Sequence, residues 1–162
     1  MRVFDCFMYY NEDVILDLRL NYLDPFVDFF VIVESKFNHK GEKKELNFDI
    51  NKFKRYKHKI KYLILDHNSP EIEAINNQDS EDEKSRKFIL NGYRRDNYQR
   101  NYLINGLKDA NQEDLIIISD IDEIPKVENI NFNKISTAGP FVLLKNSCYF
   151  QSRKGFSVVI EA

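Results

Sequence analysis

The chain has 162 residues, enough for one domain with a real hydrophobic core. Hydrophobic residues make up 43% and charged residues 31%, which excludes a disordered chain, and no apolar run is long enough to form a transmembrane segment. A formal net charge of -2 and a pI of about 6.0 supply no global attraction for DNA or RNA, so no nucleic-acid partner is expected.

Val3 to Tyr9 reads as a first strand, and the N-terminus lacks the long apolar stretch of a signal peptide. Asn11 to Leu23 reads as a helix, with Ile15, Leu16, Leu18, Leu20 and Leu23 as its apolar positions. Asn11 is the expected N-cap, and Asp24-Pro25 ends the helix. Asp28 to Glu34 is a second strand. Ser35 to Phe53 is polar and lysine-rich, a loop with short pieces of structure. Lys59 to Asp66 is a third strand, and Ser69 to Asp79, which contains Pro70, is loop. Glu81 to Ala110 is mostly helical, with a break expected near Gly92. Asp114 to Ser119 is a fourth strand, and Phe141 to Phe150 a fifth after the Gly139-Pro140 turn. Strands alternating with helices predict an α/β fold, a doubly wound, mostly parallel sheet with flanking helices, in a single domain over residues 1–162. Cys6 and Cys148 both lie in apolar strand contexts, so buried thiols are expected rather than a disulfide, and a cytoplasmic location with them.

Chemistry concentrates at the carboxyl ends of the strands. The first is followed by Tyr10, Asn11 and Glu12, the second ends in Glu34 and Ser35, and the third gives Asp66. The fourth, the apolar run Leu115 to Ile118, leads into Asp120, Asp122 and Glu123. Successive parallel strands would bring these groups to one crevice. Alternation puts Asp120 and Asp122 on one side and Ile121 on the other, and two such carboxylates make half a site for a hard divalent cation. The same two acids also suit a turn closed by Pro125, because Asp side chains hydrogen-bond nearby backbone. Glu123 is expected to point away and hold the loop. Arg86, Arg94, Arg95 and Arg100 on the long helix offer cations for a phosphate. The competing reading is a solvated face with local pairs such as Asp96 with Arg100. His39 reads as a surface histidine. His58 and His67 have no partners at zinc spacing. The basic, aromatic stretch Lys52 to Lys61 reads as a solvated loop rather than a nucleic-acid patch.

Several segments together bring a family into view. They are Phe4-Asp5-Cys6-Phe7 with Asn11-Glu12, Arg19-Leu20, Leu23-Asp24-Pro25, Val27 through Ser35, Gly41 with Lys44 and Leu46, Lys59-Ile60, Arg100-Asn101, and Ser119 through Pro125. In this order and spacing the chain resembles glycosyltransferase family 17 over roughly its first three quarters. The resemblance implies a GT-A-like, Rossmann-like nucleotide-sugar fold and a UDP-sugar donor resembling UDP-N-acetylglucosamine. It implies Mn2+ or Mg2+ at the metal residues Asp120 and Asp122, with Asp122 the direct ligand and Asp120 reaching the ribose or the metal's water shell. It places Asn11, Glu12 and Glu34 near the nucleoside and Arg100 at the diphosphate. The reaction would be inverting transfer to a hydroxyl of a glycan or glycoconjugate acceptor, with a carboxylate as base that the sequence does not identify.

The family pattern runs well beyond this length, and Gln151 to Ala162 departs from it. The expectation is therefore either a minimal or truncated member or a donor-binding half that cannot turn over alone, in both cases one that transfers sugar slowly or not at all, with the family's acceptor region and membrane anchor lacking. Two other classes stand beside a metal-dependent glycosyltransferase. One is a non-catalytic or truncated nucleotide-sugar-binding module. The other is a phosphohydrolase with an aspartate nucleophile, which Ile124-Pro125 disfavours because that chemistry wants a small hydroxyl residue close behind the acids.

Overall fold

The structure, a computed structural model, describes residues 1–127 and the backbone of two further strands at 141–145 and 157–161. Six strands form one sheet: β1 (Val3–Met8), β2 (Phe29–Ser35), β3 (Ile60–Leu65), β4 (Leu115–Ile118), β5 (Phe141–Lys145) and β6 (Ser157–Glu161). Their order is β3-β2-β1-β4-β5-β6, and every pairing is parallel. The first four strands and β5 are those expected from the sequence, β5 being shorter within the described residues. The strand β6 falls in the tail that followed no expected pattern.

The register explains why the central strands are apolar on both faces. Alternate side chains of β1, β2 and β4 feed two separate cores. Phe7, Phe30, Ile32, Leu115 and Ile117 pack under helix α1 (Asp13–Leu23), which contributes Leu16, Leu20 and Leu23. Phe4, Cys6, Val31, Val33, Ile116 and Ile118 pack on the opposite face. That face is covered by the end of helix α2 (Glu81–Tyr102) and the 3-10 turn Leu103–Leu107 that follows it. Helices on both faces make the sheet doubly wound, in agreement with the expected α/β class. Cys6 is a free, fully buried thiol, and burial pushes its pKa up, so it packs as a small apolar group. Cys148 lies outside the described residues.

Two local expectations are corrected. Asn11 does not cap α1: Glu12 holds the N-cap position, and its carboxylate turns back to accept from the backbone N–H of Tyr10 (2.9 Å) and Asn11 (3.0 Å). The long helix does not break at Gly92. It runs unbroken to Tyr102 from a capping box in which Ser80 accepts from Glu83 N–H and the Glu83 carboxylate accepts from Ser80 N–H. The change of path comes at Leu103, where the chain tightens and Gly106 lies so close to Val31 that a β-carbon there would collide with it.

Candidate functional site

The chain leaves β1 for β2 on one side and returns through β3 and α2 to place β4 on the other side of β1. The carboxyl ends of β1 and β4 thus flank the topological switch point, where open α/β sheets bind ligands. A cavity of about 570 Å³ lies there, within the size range of small-molecule sites. Tyr10 and Glu12 line it beyond β1, Ser35 at the end of β2, Arg100 from α2, and Asp120 and Asp122 beyond β4.

The turn that carries the two aspartates is fixed from below by Arg19. Arg19 and Asp5 are both fully buried. The guanidinium donates to both carboxylate oxygens of Asp5, through Nε (2.8 Å) and Nη2 (2.7 Å). It also donates to Ser119 Oγ (2.7 Å) and to the carbonyls of Asp120 (2.8 Å), Ile121 (3.1 Å) and Glu123 (3.3 Å), and it lies over the Phe7 ring at 4.6 Å. The turn closes on itself as well: Glu123 N–H donates to the Asp120 carbonyl, and Ser119 Oγ donates to the Glu123 carbonyl. Hydrogen bonds from an ionised donor are short and strong, and a planar guanidinium makes several at fixed angles. Arg19 therefore sets the height and orientation of the Asp120–Asp122 turn relative to β1. Sequence reasoning gave it no role beyond the family pattern. The available signal was a pair of opposite charges, Asp5 between Phe4 and Cys6 and Arg19 between Leu18 and Leu20, each at a position the apolar periodicity sends inward.

Asp120 and Asp122 both line the cavity, and Ile121 between them packs into the core with α1. The strand ends at Ile118, so a turn rather than continued strand alternation separates the aspartates from Ile121. Arg100 Nη2 donates to Asp120 Oδ1 at 2.7 Å while Nη1 lies 3.3 Å from Asp96 Oδ2, the i,i+4 pair expected from the sequence. Arg100 is thus shared between two carboxylates, one of them in the acid turn. Asp122 is exposed and makes no hydrogen bond or ion pair among the described residues. Glu123 contributes to the turn through its backbone, and its buried Oε2 has no hydrogen-bond partner among the described residues.

The other expected site residues divide. Glu12 lines the cavity, though its Oε2 already accepts from two backbone N–H groups. Asn11 is exposed and does not line the cavity; Tyr10 does. Glu34 is fully buried, and its carboxylate accepts from Lys44 Nζ (2.5 Å), Asn47 N–H (2.8 Å), Phe48 N–H (3.1 Å) and the Tyr62 hydroxyl (2.8 Å). It reaches the cavity only through what it anchors. Lys44 lines the wall and sits over the Tyr10 ring at 4.8 Å. Burial, then the bond to Glu34, holds the Tyr62 phenol well above its usual pKa. Asp66 does not reach the cavity; it pairs with His67 Nδ1 at 3.0 Å. His39 is exposed, as expected, yet it also lines the cavity. It is carried there by the segment after β2, where Phe37 and Lys43 bridge and Gly41 turns with φ +89° against Arg95. Arg95 pins that segment by donating to the His39 carbonyl (3.0 Å).

The donor set fits a hard divalent cation only in part. Asp120 and Asp122 offer carboxylate oxygens, but among the described residues no three His, Cys, Asp or Glu side chains group to hold a metal. That composition suits Mg2+ or a similar ion that takes one or two carboxylates and completes its shell with water and phosphate, rather than an all-protein cage.

Fold and crevice together define a Rossmann-like α/β domain that presents paired aspartates at its switch point. The model for glycosyltransferase family 17 matches residues 1–156, and the chain belongs to that family. It is 31% identical to the human β-1,4-mannosyl-glycoprotein 4-β-N-acetylglucosaminyltransferase over 83% of its own length and 24% of the relative's. The rat enzyme of the same name gives 31% over 83% and 23%, and the mouse enzyme 30% over the same shares. The chain thus spans about a quarter of the length of the curated relatives it matches. No solved structure matches it. Among the described residues no helix is long and apolar enough to cross a membrane.

Proposed function

We propose that this chain is the donor-binding, GT-A-like part of a metal-dependent glycosyltransferase that moves N-acetylglucosamine from UDP-N-acetylglucosamine to a glycan hydroxyl with inversion. The carrying observation is the Asp120–Asp122 turn at the switch-point cavity, held in place by a buried arginine, in a chain of family 17. Mn2+ or Mg2+ held by Asp122, with Asp120, would neutralise charge on the departing diphosphate. The chain's own residues do the rest of the positioning. Arg19 fixes the turn, Arg100 orients the Asp120 carboxylate, and Tyr10 with Lys44 forms the wall across from them. The names of the relatives favour a mannosyl glycan as acceptor.

A second reading, a module that binds the donor without turning it over, is supported by the state of the cavity carboxylates. Glu12 is held by backbone N–H groups, and Asp96 and Asp120 are paired with Arg100. A base must stand within hydrogen-bond reach of the acceptor hydroxyl.

The test is calorimetry with UDP-N-acetylglucosamine, with and without Mn2+, on the native chain and on Asp122→Ala. The native chain should bind more tightly with metal. The variant should lose that gain, roughly 10- to 100-fold in affinity for one charged contact, and keep its thermal midpoint, because Asp122 is exposed and has no ion pair or hydrogen bond among the described residues. Equal donor affinity of the two proteins with Mn2+ would refute the assignment. A transfer assay on a mannosyl glycan then separates an enzyme from a binding module.

A further inference from the structure

The helix α2 carries large apolar side chains that nothing among the described residues covers. Tyr93 is 65% exposed, Ile89 57% and Phe88 48%. Single exposed hydrophobic residues are ordinary, but a contiguous patch beside a cavity marks a binding surface. Tyr93 and Ile89 border an open groove of about 360 Å³ with Gly92, His39 and Asp96. Gly92 leaves its floor bare: among the described residues a β-carbon there would meet only the His39 carbonyl, at 3.8 Å.

This groove continues the acid-lined cavity, since His39 and Asp96 line both. The helix dictates the alignment. Ile89, Tyr93, Asp96 and Arg100 stand at i, i+4, i+7 and i+11, one stripe of α2. Arg100 touches Asp120 at one end of it. Seven residues separate Arg100 from Tyr93, roughly 10 Å along the axis at the helical rise. A ligand reacting at the aspartates therefore extends over Tyr93 if it is a short chain rather than one ring.

We propose that this shelf binds a sugar ring of the oligosaccharide acceptor, the apolar C–H face lying on the Tyr93 ring and the hydroxyl edge facing Asp96 and His39. The inference rests on the glycosyltransferase reading above. Its chemistry follows from what lines the shelf. A pyranose has an apolar face and a polar rim, and the groove offers an aromatic plane and an aliphatic side chain beside a carboxylate and an imidazole. Aromatic side chains serve such half-wet surfaces because their body is apolar and, for tyrosine, their tip is polar. The groove's continuity with the cavity and its mixed polar and apolar lining favour a sugar; self-association through the wider apolar surface that Phe88 and Ile75 extend is an outcome of the test.

The chain contains no tryptophan, so Tyr93→Trp installs a lone indole on the shelf. Its emission is followed while manno-, gluco- and galacto-oligosaccharides, and separately UDP with Mn2+, are added. At least one oligosaccharide should shift it saturably. By calorimetry that same oligosaccharide should bind Tyr93→Ala roughly tenfold more weakly and Tyr93→Phe about as well as the native chain, with UDP affinity unchanged in all three. A response to UDP alone would overturn the proposal by giving the shelf to the nucleoside. A response to protein concentration would overturn it in favour of self-association, and silence to every oligosaccharide would overturn it outright. If the native chain binds no UDP with metal, the donor reading fails, and the oligosaccharide titration still decides the shelf.

Discussion

Replacing Arg19 by methionine tests whether the acid turn is held from beneath. The change keeps much of the side-chain volume and removes a guanidinium that is fully buried and bonded to Asp5, Ser119 and three carbonyls of the turn. Its first consequence is a buried, unpaired Asp5 carboxylate. Breaking one side of a buried ion pair costs about 3–5 kcal/mol, a large share of the roughly 5–15 kcal/mol that holds a domain together. Urea unfolding should show that loss as a lower midpoint at unchanged slope. The second variant carries Asp5→Leu together with Arg19→Met. Replacing a whole buried pair by apolar side chains is often neutral, so most of the stability should return, less about 1–3 kcal/mol for turn carbonyls left without a donor. Donor affinity should not return, because the turn has then lost the guanidinium that ties it to β1, and its internal hydrogen bonds do not set its place against that strand. A single variant that loses under about 1 kcal/mol would refute the buried-pair argument. A double variant that regains both stability and metal-dependent donor binding would refute the positioning role.

Two further outcomes follow from the same structure. Ile117→Asp places a carboxylate in the middle of β4, at a position 1% exposed within the α1-side core; a cost of several kcal/mol should leave the chain unfolded or insoluble, and a normal thermal midpoint would contradict the central place of β4. Asp114 concerns pH. Burial raises its pKa, but the side chain and N–H of Arg2 and the N–H of Asn111 outweigh that and hold it below the ordinary carboxylate range. A carboxylate with a depressed pKa in the folded state contributes stability that is complete above its unfolded value, near 3.9, and fades as pH falls through the lower folded value. Asp114→Asn should therefore be less stable at neutral pH, by roughly 1–3 kcal/mol, and the gap from the native chain should narrow in acid; a gap independent of pH would show that Asp114 is not ionised in that network.

The sequence by itself determined the α/β class, the first four strands, both helices in outline and the place of the paired aspartates. The reason is that these are local. A run such as Leu115 to Ile118 reports a strand covered on both faces whatever lies beside it, and polar residues straight after it report where the strand leaves the core. The family resemblance added the role expected of such carboxylates. The tertiary structure alone decided which charged groups line the cavity. Glu34 and Glu12 read alike as strand-end acids, yet Glu34 is consumed by four donors under the Lys44–Phe48 segment, while Glu12 lines the cavity and folds back on its own loop. Arg100 read as a phosphate contact, and Asp96 and Asp120 share it. Arg19 lies about 100 residues before the turn it holds, and Tyr93 comes to the groove beside the cavity through the register of α2. A hydrophobic pattern states which face of an element turns inward. It carries no information on which distant polar group a charge will meet, because that partner is set by how the whole sheet and its two helical layers pack.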